Sequence, residues 1–337
     1  MAARRGASRT FAMKLFALNS SRDFGERAAR ALGTELCAHE EREFEDGEHK
    51  ARPLVGVRGE DVYVIQSLHG DPEFSANDKL CRLLFFLGAV RDAGASRVTA
   101  VTPYLAYARK DRRTKWRDPL TTRYVAQLFE AVGIDAIMTL DTHNIVAFQN
   151  AFRCEAVHLD SRRLFCGHIV KSRLDGPFVV ASPDPGGVKR AQLFREMLEK
   201  TIDQPVGSAL MEKRRSAGTV SGSLMVGDVS GATVLVVDDI ISTGGTMVRA
   251  AEACHENGAR SVYAVAAHGL FVGDAEAALQ HKLITQTWIT DTVPPFRLAE
   301  DVVADRLEIV GAAPLFADAI RCLHENGSIN ALLEGET

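Results

Sequence analysis

The chain has 337 residues, enough for about two domains. Hydrophobic residues make up 46% and charged residues 25%, as in ordinary globular proteins, and the net charge of −4 gives no general attraction to nucleic acid or membrane. No apolar run approaches the roughly 20 residues that cross a bilayer. The six cysteines are scattered without a Cys-x-x-Cys pair, so we expect reduced thiols in a cytoplasmic protein rather than disulfides or a zinc site.

Residues 1–12 are expected to be a disordered extension, because residues 1–11 are basic and lack both acids and an amphipathic pattern. The remaining pattern alternates strands with helices. The predicted strands are 14–18, 62–65, 97–102, 134–140, 178–181 and 234–237, and the clearest helices are about 79–92, 246–257 and 314–326.

The chain contains an internal repeat. Residues 94–101 (GASRVTAV) recur as 258–265 (GARSVYAV), and each copy follows a strand and an amphipathic helix. We therefore predict an α/β fold with two domains, 13–160 and 161–337, each a mostly parallel sheet flanked by helices. The last helix, about 314–326, could pack on the first domain.

The most informative segment is the apolar strand 234–237 with the residues that follow it. Asp238 and Asp239 come directly after this strand, at the sheet edge where open α/β proteins bind ligands. A hydroxyl- and glycine-rich turn then opens a helix, whose N-terminus attracts anions. Acids beside a phosphate cradle favour a sugar phosphate, with the acids on its hydroxyls. The phosphate would lie on Ser242, Thr243, Gly244, Gly245 and Thr246.

Two further segments carry charge at predicted strand ends. The loop 104–117 has six cations against one acid, which favours a polyphosphate ligand. Asp141 and His143 follow the strand 134–140, where a carboxylate and an imidazole could hold a divalent cation; an ordinary turn is the alternative. Asp184, in Ser-Pro-Asp-Pro-Gly-Gly, could bind ribose hydroxyls or a cation, or cap a helix.

Six segments, in this order along the chain, resemble those of the ribose-phosphate diphosphokinase (PRPP synthetase) family. They are Phe44-Glu45-Asp46-Gly47-Glu48, the cationic loop, Asp141-Thr142-His143, the segment around Asp184, Met211-Glu212-Lys213-Arg214-Arg215, and 234–246. The resemblance implies two tandem phosphoribosyltransferase-like domains. It also implies transfer of the diphosphoryl group of MgATP to the 1-hydroxyl of ribose 5-phosphate, giving 5-phosphoribosyl 1-diphosphate (PRPP) and AMP.

The resemblance further implies roles for individual residues. Lys213 and Arg215 would be catalytic, and Mg²⁺ would lie at Asp141, His143 and Asp184. ATP would be bound by Arg109, Lys110, Asp111, Phe44, Asp46 and Glu48. Ribose 5-phosphate would be bound by Asp184, Asp238, Asp239 and residues 242–246. A homo-oligomer, hexameric or dimer-based, would share active sites, because Phe44, Asp46 and Glu48 serve a neighbouring subunit.

The sequence departs from the family pattern at three places. Lys110 replaces a glutamine in the nucleotide loop, Arg153 lies in a segment where relatives carry acids, and Ser242 stands where many relatives have an acid. Two alternatives remain open. A phosphoribosyltransferase that consumes PRPP would share residues 234–246, and a non-catalytic regulatory relative would share the fold.

Overall fold

The structure is a computed structural model that describes residues 12–216 and 219–334, with side chains described outside 212–224. The predicted extension therefore lies, except for Ala12, outside the described residues. Among the described helices, none combines the length and the apolar character needed to cross a membrane.

Strands and helices alternate along the chain. The strands are β1 (Met13–Ala17), β2 (His39–Glu43), β3 (His49–Pro53), β4 (Asp61–Ile65), β5 (Arg97–Thr102), β6 (Ala136–Leu140), β7 (Glu155–Leu159), β8 (Phe178–Ser182), β9 (Val206–Ser216), β10 (Thr219–Val226), β11 (Thr233–Ile241), β12 (Ser261–Gly269), β13 (Gln286–Thr290) and β14 (Leu307–Val310). The helices are α1 (Arg22–Leu32), α2 (Ala76–Asp92), α3 (Thr121–Ala131), α4 (Ile145–Ala151), α5 (Arg162–Ser172), α6 (Val188–Ile202), α7 (Gly245–Glu256), α8 (Ala275–Leu279), α9 (Glu300–Arg306), α10 (Ala313–His324) and α11 (Ile329–Glu334).

The described residues form two compact units. The first contains 12–139, 144–158 and 313–334, and the second contains 140–143 and 159–312. The first unit has a five-stranded sheet in the order β1-β4-β5-β6-β7 and a separate β2–β3 hairpin. Strands β1, β4, β5 and β6 pair in parallel.

The second unit has a seven-stranded sheet in the order β10-β9-β8-β11-β12-β13-β14. All its pairs are parallel except β9–β10, which is an antiparallel hairpin at one edge. The prediction of mostly parallel sheets flanked by helices is confirmed.

The apolar run of β11 is buried on both sides. Val234 and Val236 belong to one core cluster, which includes side chains of α7. Leu235 and Val237 belong to a second cluster with side chains of α5 and α6. Because successive side chains of a strand point to opposite faces, this run covers both faces of a parallel sheet.

The predicted end of this strand was wrong. Asp238 and Asp239 lie inside β11 rather than after it, because β11 continues to pair with β12 as far as Ile241. Pairing with β8 on the other side stops at Val236. The two acids therefore lie on a stretch of β11 that is paired on one side only.

The C-terminal helix α10 packs against α1 in the first unit. The rings of Phe24 and Phe316 meet edge to face with centroids 5.4 Å apart. At the other end of α10, His324 Nδ1 lies 2.7 Å from the buried carboxylate of Asp61. Arg97 donates to the same carboxylate over 2.7 Å and also to the carbonyl of Leu323. Asp61 is therefore the centre of a polar cluster that joins β4 and β5 to α10.

We predict that Asp61→Asn lowers the free energy of unfolding by about 3 kcal/mol, because removing one partner of a buried ion pair leaves the Arg97 charge uncompensated. Burial alone would raise the pKa of Asp61, but hydrogen bonds from Arg97 and His324 hold it below its usual range. The stabilisation is therefore present above the unfolded-state pKa and lost as the pH falls through the native-state pKa.

Urea unfolding at pH 7 and at lower pH measures both effects. The matched control is Asp318→Asn, which breaks an exposed pair with Arg321 on the same helix and should cost under about 1 kcal/mol. Equal losses in the two variants would contradict the role given to Asp61.

Candidate active site

The turn after β11 has the geometry of an anion site. Gly244 has a left-handed backbone (φ +76°) and precedes α7, and no described side chain caps the helix N-terminus there. A β-carbon added at Gly244 would lie 2.4 Å from Cβ of Ala278, so glycine is required for both conformation and space. The first N–H groups of the 12-residue helix are thus available to a phosphate.

The acids before this turn are held by a cation. Arg190, on the first turn of α6, places Nη1 3.1 Å from Asp238 Oδ1 and Nη2 2.9 Å from Asp239 Oδ1. Asp239 is buried and also lies 3.0 Å from His143 Nδ1. The structure therefore brings Asp238, Asp239 and His143 together around Arg190.

This arrangement shifts the pKa values of Asp238 and Asp239 in opposite directions. Burial and the neighbouring Asp239 raise the pKa of Asp238 to about 7. Burial alone would also raise the pKa of Asp239, but the hydrogen bond to His143 and the charge of Arg190 hold it well below its usual range. One carboxylate therefore stays ionised at neutral pH while its neighbour titrates there.

Arg190 was missed as a site residue from the sequence. The signal was present, because two adjacent acids on a buried strand require a cation, and Arg190 follows the Gly186-Gly187 turn at the same edge of the sheet. The sequence alone does not show whether Lys189 or Arg190 faces the acids, because that depends on the direction in which α6 leaves the turn.

The segment 140–143 carries the predicted cation ligands. Asp141 has a left-handed backbone (φ +36°) and its Oδ2 accepts a hydrogen bond from Ser161 Oγ. Burial, together with the charge of Asp160, raises the pKa of Asp141 to about 7. The buried ring of His268 contacts the carbonyl of Leu140, and burial lowers its pKa to about 4, so the ring is neutral at pH 7.

The predicted ligands fit Mg²⁺ only as part of a set that substrate completes. Within residues 12–216 and 219–334 no three His, Cys, Asp or Glu side chains are grouped as a metal cage. Mg²⁺ commonly takes one or two carboxylates together with waters and substrate phosphates. The oxygen donors of Asp141 and Asp184 fit that pattern, and His143 would use its Nε2, since Nδ1 faces Asp239.

Asp184 is the N-cap of a 3-10 turn, Pro185–Gly187. Its Oδ1 accepts hydrogen bonds from the backbone N–H groups of Gly186 and Gly187, at 2.9 and 3.1 Å. Helix capping, the alternative role of Asp184, therefore accounts for one of its two carboxylate oxygens, Oδ1. A β-carbon at Gly187 would lie 2.8 Å from Ser182 Oγ, which explains the second glycine of the pair.

The cationic loop of the first unit is organised by an acid that the sequence interpretation left out. The Asp118 carboxylate accepts from Lys110 Nζ at 2.6 Å and from the backbone N–H groups of Thr114 and Lys115. Lys110 is thus engaged inside the loop. Arg109 is exposed, and Trp116 has 98% of its surface accessible.

The remaining nucleotide candidates also lie in the first unit. Asp111 accepts a hydrogen bond from Asn144 at 2.7 Å. Phe44, Asp46 and Glu48 form the exposed tip of the β2–β3 hairpin, where Phe44 and Glu48 are joined by a backbone hydrogen bond.

Lys213 and Arg215 belong to a strand, β9, that lies next to the edge strand β10 of the second unit's sheet. Their backbones are part of β9 and oppose Ser223 and Val220 of β10. Thr219–Val226 supplies the partner strand of this segment. Their side chains lie outside the described part of the structure.

Comparison with known proteins agrees with this geometry. Residues 13–133 match the profile of the N-terminal domain of ribose phosphate pyrophosphokinase, and residues 220–334 match the phosphoribosyl synthetase-associated domain. Ribose-phosphate pyrophosphokinase from Caldanaerobacter subterraneus subsp. tengcongensis is 37% identical, over 96% of this chain and 98% of the relative. The enzyme from Listeria ivanovii is 36% identical, over 96% and 97%.

A solved structure extends the similarity to the fold. The crystal structure of phosphoribosylpyrophosphate synthetase from Mycobacterium smegmatis superposes with a TM-score of 0.83 at 32% identity, covering 94% of this chain and 99% of that one.

A parallel sheet with paired acids and an uncapped helix N-terminus at one edge is typical of α/β proteins that bind anionic ligands carrying hydroxyls. The sequence similarity along nearly the whole chain identifies one family within this class of proteins. The chain belongs to the ribose-phosphate pyrophosphokinase family, and the family predicted from the sequence is confirmed.

We predict that Gly244→Ala costs about 2 kcal/mol of stability and weakens ribose 5-phosphate binding, because a β-carbon there meets Ala278 and the backbone is left-handed. Calorimetric titration and thermal unfolding measure the two effects. Gly245→Ala is the matched control, since the nearest atom to its added β-carbon is 3.5 Å away. A Gly244→Ala/Ala278→Gly variant should recover only the steric part. Equal behaviour of the two single variants would contradict the assigned geometry.

Proposed function

We propose that this chain transfers the β,γ-diphosphoryl group of MgATP to the 1-hydroxyl of ribose 5-phosphate, giving PRPP and AMP. The observation that carries the proposal is the family similarity over 96% of the chain, including relatives named ribose-phosphate pyrophosphokinase. The site at the end of β11 agrees with it, because it offers donors to a phosphate and acceptors to hydroxyls within a few residues.

Ribose 5-phosphate would lie along the end of β11. Residues 242–246 and the N-terminus of α7 would take the 5-phosphate, while Asp238 and Asp239 would accept hydrogen bonds from the vicinal hydroxyls. Asp184 lies on the turn before α6 and would add a further acceptor. Arg190 supports this role, because its guanidinium pairs with the carboxylates of both Asp238 and Asp239.

ATP would be bound by residues of the first unit. Arg109, Lys110 and Asp111 would contact the nucleotide, and Phe44, Asp46 and Glu48 would contact its base and ribose from a neighbouring subunit. The exposure of the hairpin tip and of Arg109 is compatible with these roles. We accordingly propose a homo-oligomer with shared sites, and a cytoplasmic location in keeping with six unpaired cysteines.

Asp141, His143 and Asp184 are the proposed ligands of Mg²⁺, which would supply neutralisation of charge on the phosphates of ATP. Lys213 and Arg215 would stabilise the charge that develops on the transferred group and on the leaving oxygen. Positioning and charge stabilisation account for most of the catalysis of phosphoryl transfer. A general base at position 242 is not part of this proposal, since serine stands there.

The direct test is ³¹P NMR of the protein with ribose 5-phosphate, ATP and Mg²⁺. We expect PRPP and AMP to accumulate, and EDTA to stop the reaction. Lys213→Ala should lower kcat at least roughly a hundredfold with little change in substrate KM, because its charge acts mainly in the transition state.

The alternatives give different spectra. PRPP consumption with a nucleobase, without any requirement for ATP, would indicate a phosphoribosyltransferase. A folded protein that binds both substrates but forms no product would indicate a regulatory relative. A fall confined to KM in Lys213→Ala would remove this lysine from the catalytic role.

Trp116 provides a prediction about the cationic loop. The side chain is 98% exposed, and Trp288, the other tryptophan, is buried. If the loop covers bound nucleotide, water should be excluded from Trp116. In a Trp288→Phe variant we expect MgATP to shift the fluorescence towards the blue and to reduce quencher access, with much less effect from ribose 5-phosphate alone.

A variant lacking both tryptophans is the control for nucleotide absorption. An unchanged spectrum and unchanged quenching at saturating MgATP would show that residues 108–117 form an exposed face rather than a lid.

A further inference from the structure

We propose that His268 is a positioning residue, which holds the cation-binding segment 140–143 through the carbonyl of Leu140 and is itself oriented by the hydroxyl of Thr292. The proposal rests on the proposed function in one respect, the assignment of Asp141 and His143 to the divalent cation. The side chain of His268 would not contact the substrates or the cation.

The contacts that carry this inference are all buried. His268 is 2% exposed, and its Nε2 lies 3.0 Å from the carbonyl oxygen of Leu140. Its Nδ1 lies 2.8 Å from Thr292 Oγ1, and Thr292 is 1% exposed. Both residues and Leu140 belong to the second unit. The ring therefore links the β12 strand to the residue immediately before Asp141.

The partners determine the tautomer of the ring. A carbonyl oxygen only accepts hydrogen bonds, so Nε2 must carry the proton that it donates to Leu140. A neutral imidazole has a single N–H, so Nδ1 is then an acceptor for the Thr292 hydroxyl, whose oxygen also lies 2.9 Å from Thr290 Oγ1. Loss of that hydroxyl would allow the proton to reside on Nδ1, which would remove the bond to Leu140.

The position that this bond supports is conformationally costly. Asp141 adopts φ +36°, a left-handed conformation that a non-glycine residue keeps only when its surroundings fix it. The Asp141 N–H donates to the carbonyl of Leu159 at 3.0 Å, and Ser161 donates to its side chain. His268 fixes the preceding carbonyl. Together these bonds set the direction of the Asp141 carboxylate, and such outer-shell partners commonly control metal affinity.

The test compares substitutions that keep different hydrogen bonds of the chain from Thr292 through His268 to the Leu140 carbonyl. Glutamine places an amide N–H near the position of Nε2, whereas asparagine reaches only the position of Nδ1. We expect His268→Asn and Thr292→Val each to weaken Mn²⁺ binding about tenfold or more, measured from the loss of the free Mn²⁺ EPR signal with saturating ribose 5-phosphate present. His268→Gln should lose much less.

A matched control distinguishes the link from a general effect of threonine replacement. Thr287 is buried on β13 and its hydroxyl has no partner among the described residues, so Thr287→Val should leave Mn²⁺ binding unchanged. In a His268→Gln background, Thr292→Val should lower the Mn²⁺ affinity little further, because a glutamine side chain has no ring tautomer that the hydroxyl could determine.

Three outcomes would overturn the inference. The first is that folded His268→Asn and Thr292→Val proteins bind Mn²⁺ like the unmodified chain. The others are additive losses of Mn²⁺ affinity in the His268→Gln/Thr292→Val double variant, or equal losses in His268→Asn and His268→Gln. If His268→Asn does not fold, Thr292→Val decides the question. Failure of the unmodified chain to form PRPP would contradict the proposed function alone, because Mn²⁺ binding is measured without turnover.

Discussion

Asp238 and Asp239 are neighbouring carboxylates on a buried strand and repel each other. The edge of the second unit's sheet where the ligand is proposed to bind depends on how that repulsion is compensated. Arg190 reaches both acids from the first turn of α6, and His143 reaches one of them from the segment after β6. Without these partners, burial would favour protonation of both acids. The compensation keeps an ionised acceptor beside the turn that is proposed to bind the phosphate, and it links β11, α6 and residues 140–143 to one another.

The two units insert a hairpin at the same place in their topology. In the first unit, β2–β3 follows β1 and α1 and precedes β4; in the second, β9–β10 follows β8 and α6 and precedes β11. The first hairpin carries the candidate adenosine contacts at its tip, and the second carries Lys213 and Arg215. A repeated order of elements thus provides two hairpins at equivalent positions along the chain, one separate from its sheet and one part of it. Different side chains on them would suffice to give one a nucleotide role and the other a catalytic role.

Sequence pattern was sufficient for the family, the sheets and the turn at 242–246, because repeated strand–helix units and a glycine-rich turn are local features. It failed where contacts cross between elements. The continuation of β11 past Val237 depends on pairing with β12, Lys213 lies on a strand because β10 pairs with it, and Asp118 matters only through the fold of its loop. Arg190 and His268 are single residues whose roles follow from which acid or carbonyl they meet.

The first unit shows what the same edge becomes without the acids. Gln66 and Ser67 follow β4, where Asp238 and Asp239 occupy the end of β11. The Gln66 side-chain amide donates to the hydroxyl of Ser20, and the Ser67 backbone N–H donates to the hydroxyl of Ser21, in the turn that corresponds to Pro185–Gly187. These neutral groups need no compensating arginine, and the Gln66 side-chain oxygen Oε1 has no partner among the described residues. A neutral amide and hydroxyl in place of two carboxylates remove the like-charge repulsion, so this edge of the sheet needs no compensating cation.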